Sequence, residues 1–309
     1  MSFTSEIKQE ISYNELKNCC KRAELSALVQ LTSSLSYSSD GFYLSVRSEN
    51  PTTSKRIMKL IKSLYECDVK LEVATKTNLR KNNVYTLKVK NNVTGILEDL
   101  GIYSERGLLS HPSYTLISKD CCARAYLAGA FIAYGACNSP LKSNYHLEIS
   151  LNDLDYASFI VKLFNRFSLN AKISKRRNRY IVYLKKADAI SDFLRLIGAH
   201  ESLMNFENSR INRDFKNNLI RLDNCEIANE MKTINAAQNQ IEYMQKIIDS
   251  GKYEILNDKL KNVIDLRLKN PDSSLSELCT LYEKGYGTSI SRSGLKHRLN
   301  KLELMAKNL

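Results

Sequence analysis

Apolar residues along the first 200 positions alternate between two spacings. Ile57, Leu60, Ile61 and Leu64 repeat at helical spacing, as do Phe159, Ile160, Leu163 and Phe164. Other stretches alternate apolar with polar residues, Val69 to Val73 and Val84 to Val89 after the first set and Ala171 to Ser174 after the second, where the short apolar run Tyr180 to Leu184 completes the counterpart hairpin. A period of 3.6 predicts a helix with one buried face, and a period of two predicts a strand with one. The order of these segments occurs twice. Cys19-Cys20-Lys21-Arg22-Ala23-Glu24-Leu25 returns 102 residues later as Cys121-Cys122-Ala123-Arg124-Ala125-Tyr126-Leu127, with five of seven positions identical. Each copy opens with an apolar helix (Ala23 to Leu31, Ala125 to Ala133) and continues into a hairpin. The first hairpin turns at Asp40-Gly41, the second near Ser139-Pro140. Each copy closes on a short helix stopped by Gly101 or Gly198. Residues 1–205 therefore predict a duplicated α-β-β-α-β-β-α unit of α+β class, two four-stranded sheets each burying one face under helices and leaving the other open.

Past this point the pattern becomes helical only. Residues 206–222 have weak periodicity and are expected to form a partly helical linker before an all-α domain over 223–309. Ile227, Met231, Ile234, Ile241, Met244 and Ile248 mark a helix from about Asn224 to Ser250, and a second runs from about Leu256 to Leu268. Ser274 and Glu277 form a capping box at the start of a short helix, and Gly285 and Gly287 are expected to make a turn. A last helix from Ser291 carries Leu295, Leu299, Leu302 and Ala306 inward. Short helix, turn and basic helix over about 274–308 is the pattern of a helix-turn-helix, whose last helix enters the DNA major groove.

The 309 residues carry a formal net charge of +13, which favours a polyanionic partner such as nucleic acid. The 17 Lys and Arg and 15 Asp and Glu from Glu201 onward nearly cancel, so residues 1–200 hold a surplus of 11 and the tail one of 2. Candidate DNA contacts on the last helix are Ser291, Arg292, Ser293, Lys296, His297, Arg298, Asn300 and Lys301. Arg292 and Ser293 belong to its first turn, closest to base edges, whereas Arg298 and Lys301 suit phosphate. A second set lines the later hairpin of each copy: Lys76, Arg80, Lys81, Lys88 and Lys90, and Lys172, Lys175, Arg176, Arg177, Arg179, Lys185 and Lys186. Their occurrence in both copies points to phosphate contacts. No run of apolar residues is long enough for a membrane span, so the expected setting is cytoplasmic, at the nucleoid. RNA is the weaker expectation, because the strands lack paired stacking aromatics.

One segment adds a fold-level likeness. Leu127-Ala128-Gly129-Ala130-Phe131-Ile132-Ala133-Tyr134-Gly135 resembles the LAGLIDADG motif of homing endonucleases at Leu127, Ala128, Gly129, Ala133 and Gly135. In that family each motif ends with an acid that holds a divalent metal over the scissile phosphate. Here the corresponding positions are Thr32 and Tyr134, and a hard cation needs oxygen anions. Asp40, Asp120, Asp153 and Asp155 read as turn and helix-cap carboxylates rather than metal ligands. The eight cysteines include no C-x-x-C, and the pairs Cys19-Cys20 and Cys121-Cys122 read as small helix-start residues. Two-fold packing could bring those four sulfurs together. Because adjacent cysteines project in different directions, no metal or other cofactor is expected.

Over its whole length the chain resembles the WhiA family. The motifs that carry the likeness are Asn224-Cys225-Glu226, Ala228-Asn229, Lys232-Thr233, Asn235-Ala236-Ala237-Gln238, and Ser291-Arg292-Ser293-Gly294 with His297-Arg298-Leu299. The resemblance implies a non-enzymatic double-stranded-DNA-binding protein acting in cell division, chromosome segregation or sporulation-type transcription. Other transcription or division proteins are further partners it implies. The competing expectations are an interaction scaffold with weak DNA binding and a metal-dependent endonuclease.

Overall fold

The structure is a computed structural model that describes residues 2–38, 41–75, 83–105 and 107–309. Its elements run α1 (Phe3–Tyr13), α2 (Asn18–Thr32), β1 (Ser33–Ser38), β2 (Gly41–Ser48), α3 (Pro51–Leu64), β3 (Val69–Thr75), β4 (Asn83–Val89) and α4 (Val93–Asp99). A small hairpin, β5 (Tyr103–Ser104) and β6 (Gly107–Leu108), leads into the second copy. That copy comprises α5 (Asp120–Tyr134), β7 (Gly135–Cys137), β8 (Leu147–Leu151), α6 (Leu154–Arg166), β9 (Lys172–Arg176), β10 (Arg179–Leu184) and α7 (Ala187–Leu196). The chain then enters α8 (His200–Asp249), a 3-10 turn (Lys252–Ile255), α9 (Asp258–Lys269), α10 (Leu275–Tyr286) and α11 (Arg292–Lys307).

Both predicted sheets are present and wired alike. Among the described residues the order is β1-β2-β4-β3 in one and β7-β8-β10-β9 in the other, every pair antiparallel. The core-facing residues of the second sheet are Leu147, Ile149, Leu151, Val182 and Leu184; Leu44, Val46, Leu87 and Val89 play the same part in the first. They pack with α3, α4, α6 and α7 into one apolar core.

Helices α2 and α5 sit at the centre, and their small residues explain the close approach. A Cβ on Gly129 would lie 2.5 Å from the carbonyl oxygen of Glu24 and 3.0 Å from the Cβ of Ala27. Beside this contact Glu24 is buried with Arg56, which donates from Nε at 2.7 Å and Nη2 at 2.9 Å and also to the Asn14 carbonyl at 3.0 Å. The pairing satisfies a charge whose burial alone would be strongly unfavourable.

Helix α1 was missing from the elements expected from sequence. Phe3, Ile7 and Ile11, spaced four apart, are its buried stripe. Its Glu10 reaches across the chain to cap α8, accepting from the Glu201 N–H at 2.7 Å, the Ser202 N–H at 3.0 Å and the Ser202 hydroxyl at 2.6 Å. The residue before α8, Ala199, has no side-chain acceptor, so a distant carboxylate does the work of an N-cap.

The segment 206–222, expected as a partly helical linker, is helical throughout and belongs to α8, which begins at His200 rather than near Asn224. No glycine or proline lies between Gly198 and Gly251, so nothing in the backbone interrupts it. The periodicity is weak because Ile211, Phe215, Leu219 and Leu222 are exposed rather than buried. Two compact units divide within this helix, Met1–Arg213 and Asp214–Leu309.

The second unit has its own core: Met244 and Ile247 of α8, Leu260, Val263 and Ile264 of α9, Leu278 and Tyr282 of α10, and Leu295, Leu299 and Leu302 of α11. Arg267 threads this core to donate to the Ser273 carbonyl at 2.6 Å, holding the α9–α10 connection.

Candidate nucleic-acid interface

Helix α11 is placed by its own caps. The expected capping box starts α10: the Ser274 N–H donates to Glu277 at 2.7 Å and the Glu277 N–H to the Ser274 hydroxyl at 3.3 Å. The Ser274 contacts hold the Glu277 carboxyl below its usual pKa. Gly287, at φ +66°, ends the helix in the left-handed region, whereas Gly285, expected in the turn, is still helical. Ser291 then caps α11, its Oγ accepting from the Gly294 N–H at 3.1 Å. This fixes the first turn where Arg292 and Ser293 are exposed.

Leu295, Leu299 and Leu302 take the buried stripe, so Ser293, Lys296, His297, Asn300 and Lys301 share the outer face. Lys296 and Asn300 also line a cleft of about 720 Å³ against α8, with Tyr243 and Lys246 on its other wall. Arg298 departs from the expected phosphate contact. It is half-buried, donates to the Tyr282 hydroxyl at 2.9 Å and lies 5.3 Å from that ring's centre, so it ties α11 to α10. Its position is one step off the outer face, which is why a basic residue ends up bracing the motif.

The open faces of the two sheets follow from register. In the second, Lys172, Ser174 and Arg176 of β9 align with Tyr183, Ile181 and Arg179 of β10 on the face opposite Val182 and Leu184. Arg176 and Arg179 are therefore cross-strand neighbours, and Lys172 lies on the same face about 13 Å further along β9. Arg179 donates to the Ser150 hydroxyl at 3.2 Å and lies 5.3 Å from the Tyr134 ring centre. Lys175 belongs to the opposite parity and is 5.8 Å from the Tyr180 ring, so it does not join them. Arg177 occupies the turn, at φ +55°. Lys185 sits at the strand end, 5.2 Å from the Tyr183 ring, and Lys186 is the N-cap residue of α7.

In the first sheet Lys88 is on the open face but is paired with Glu72 at 2.8 Å, which holds its ammonium above its ordinary pKa. Lys70 and Arg47 share that face; sequence reasoning passed over both, although alternation through β2 and β3 marks them. Lys90 follows the end of β4. Lys76, Arg80 and Lys81 lie outside the described residues, as does Asp40. An acid also enters the second open face: Glu148 contacts His146 at 2.8 Å.

The helix ends that would carry nuclease acids hold none. Thr32 returns its hydroxyl to the Leu28 carbonyl at 2.6 Å, and Tyr134 packs under Arg179. Of the other aspartates, one caps a helix as expected, whereas Asp120 forms an ion pair instead of a cap. Asp153 caps α6 through the Tyr156 N–H at 2.9 Å, Asp155 follows in that first turn, and Asp120 pairs with Arg166 at 2.6 Å.

At the opposite end of the same helix pair the four cysteines do meet. The Sγ atoms of Cys19, Cys20, Cys121 and Cys122 all lie within 4.8 Å of one another. Adjacent side chains on a helix diverge, which argued against this. The α2–α5 crossing nonetheless places each pair over the other. Burial and the neighbouring sulfurs push Cys122 up to about 12 and Cys20 higher still.

A duplicated LAGLIDADG-like saddle followed by a helical unit with a capped helix-turn-helix defines a class of two-part protein. Three family profiles match this chain: the WhiA N-terminal LAGLIDADG-like domain over residues 18–103, the WhiA LAGLIDADG-like domain over 123–216, and the WhiA C-terminal HTH domain over 219–306. The chain belongs to the WhiA family. Relatives named "Probable cell division protein WhiA" include one from Bacillus cytotoxicus, 43% identical over 310 residues and covering 100% of this chain and 97% of that one. Another, from Oceanobacillus iheyensis, is 43% identical and covers 100% and 98%. The full-length DUF199/WhiA crystal structure from Thermatoga maritima superposes with a TM-score of 0.57 at 21% identity, covering 100% of this chain and 99% of that one, which supports the fold.

Proposed function

We propose that this protein is a non-enzymatic double-stranded-DNA-binding protein that acts in cell division, with chromosome segregation and sporulation-type transcription as the processes it serves. The observation that carries the proposal is the outer face of α11. Ser293, Lys296, His297, Asn300 and Lys301 are exposed together on a helix whose entry is held by the Ser291 cap. Helix width and this polar, basic face suit the major groove, where Asn300 and Ser293 can meet base edges and Lys296 and Lys301 phosphates. Lys172, Arg176 and Arg179 on the second open sheet face supply a further phosphate-binding patch. The lack of carboxylates at positions 32 and 134 supports a binding rather than a cleaving role. Association with the nucleoid, and with transcription or division proteins, follows from the same reading.

A second reading has one observation in its favour. Glu72 and Glu148 stand among the basic residues of the open sheet faces, an arrangement that suits a protein partner of mixed charge better than a phosphate backbone. In this reading the saddle is a docking platform and only α11 touches DNA.

Fluorescence anisotropy with duplex DNA across a salt series tests both. K296A/N300A in the full chain is expected to lose at least tenfold in affinity. R176A/R179A is expected to lose less and to flatten the salt dependence. Unchanged salt dependence in R176A/R179A assigns the sheet to a protein partner, and unchanged affinity in K296A/N300A overturns the DNA assignment of α11.

A further inference from the structure

Four thiols meeting at one point is an unusual use of a protein interior. Cys19 and Cys20 are the second and third residues of α2, and Cys121 and Cys122 hold the same places in α5. Within each pair the sulfurs are 3.9 Å apart, and all four fall within 4.8 Å of one another. In a tetrahedral zinc–thiolate site with Zn–S bonds of about 2.3 Å, neighbouring sulfurs stand about 3.8 Å apart. The two pairs already have that spacing. It is nearly twice the roughly 2.05 Å of a disulfide, and all four cysteines are free.

The surroundings suit a bound anion-rich cluster. The N-cap residues of α2 and α5 are Lys17 and Lys119, and neither supplies a side-chain cap. The cysteine pairs sit in the first turns of α2 and α5, at the positive ends of both helix dipoles. A zinc ion with four thiolates carries a net charge of −2, which those ends partly offset. Access exists as well: Cys121 is exposed, and with Cys20 it lines a cleft of about 500 Å³.

We infer that Cys19, Cys20, Cys121 and Cys122 form a tetrathiolate site for a thiophilic divalent cation, zinc, which fastens the two copies of the repeat together where α2 meets α5. The site closes on four protein ligands and leaves no coordination position open, which makes its role structural. It lies at the other end of the helix pair from Thr32 and Tyr134, about 20 Å along helices of this length, so it is unrelated to any phosphodiester centre. Binding releases the four thiol protons to solvent as the metal–sulfur bonds form.

The test uses the full chain, stripped of metal under reducing conditions and titrated with Co²⁺. One ion per chain is expected, giving the intense visible bands of tetrahedral cobalt together with thiolate-to-cobalt charge transfer. Added Zn²⁺ should bleach both at one equivalent. In the zinc-loaded protein a thiol reagent should find four fewer reactive cysteines than after a chelator, out of eight. C20S/C122S should abolish the bands and C279S keep them. Weak octahedral bands, or eight thiols that react alike with and without chelator, overturn the assignment. Disulfides between the pairs in protein isolated under non-reducing conditions would do so too. The decisive titration is on the unaltered chain, so a variant that misfolds leaves the answer intact, and DNA binding is not its readout.

Discussion

At Gly129 one missing methyl sets the distance between two helices. Alanine would gain about 1 kcal/mol of helix propensity over glycine. Its Cβ, however, would stand 2.5 Å from the Glu24 carbonyl, a backbone atom that cannot swing aside. Overpacking of this kind costs about 1–3 kcal/mol, and a backbone neighbour places the cost at the upper end. G129A is therefore expected to destabilise the first unit by about 2 kcal/mol, read as a lower midpoint in thermal denaturation. An unchanged or higher midpoint would mean that α2 and α5 can part freely. The buried Glu24–Arg56 pair sits at this same contact, so movement there also disturbs a charge that has no other solvent. Tyr126 shows the same economy nearby. Its hydroxyl meets that of Tyr156 at 2.5 Å and donates to Gln30 at 3.1 Å, and burial pushes the phenol well above its usual pKa.

Elements in this protein are often finished by residues far away in sequence. Helix α8 begins against Glu10, 191 residues from Glu201. Charge-assisted bonds of a carboxylate to helix N–H groups are stronger than neutral caps, and losing a cap costs about 0.5–2 kcal/mol. E10A is expected to lower the stability of the first unit by about 1–2 kcal/mol and to speed amide exchange at Glu201 and Ser202, with little change elsewhere. If exchange there stays slow, α8 is held by its packing alone. The helix-turn-helix is the opposite case. Its caps, Ser274 with Glu277 and Ser291 with Gly294, are all local and could be read from the chain directly. Helix α1 was legible too, in the spacing of Phe3, Ile7 and Ile11, but the polar residues between them masked the stripe.

For the molecule as a whole, the charge surplus of the first 200 residues is only partly available to a polyanion. Lys88 faces an acid and Lys175 points away from Arg176; in the tail, Arg298 is likewise taken up in bracing α10. Counting charge along the chain therefore overstates the binding surface. Each phosphate contact contributes about 0.9 to the slope of log affinity against log salt. R176A/R179A should lower that slope by nearly 2 if both arginines meet phosphate. K296A/K301A should lower it by a similar amount, and combining all four should add the two effects. A slope unchanged by the first pair would leave α11 as the sole electrostatic contact.

The chain alone determined what depends on near neighbours. Periods of two and 3.6 named the strands and helices, the 102-residue repeat named the duplication, and Ser, Asp and Gly at helix ends named the caps. The loss of acids at Thr32 and Tyr134 was equally plain, because a missing ligand type needs no geometry to detect. Tertiary structure alone decided what depends on which elements meet. It gathered four sulfurs at a helix crossing, sent Glu10 to α8 and turned Arg298 inward. It also ran one helix through the segment expected to be a linker. Local pattern records which face of an element is apolar. It does not record which other element will arrive at that face, at what angle, or with which side chains opposite.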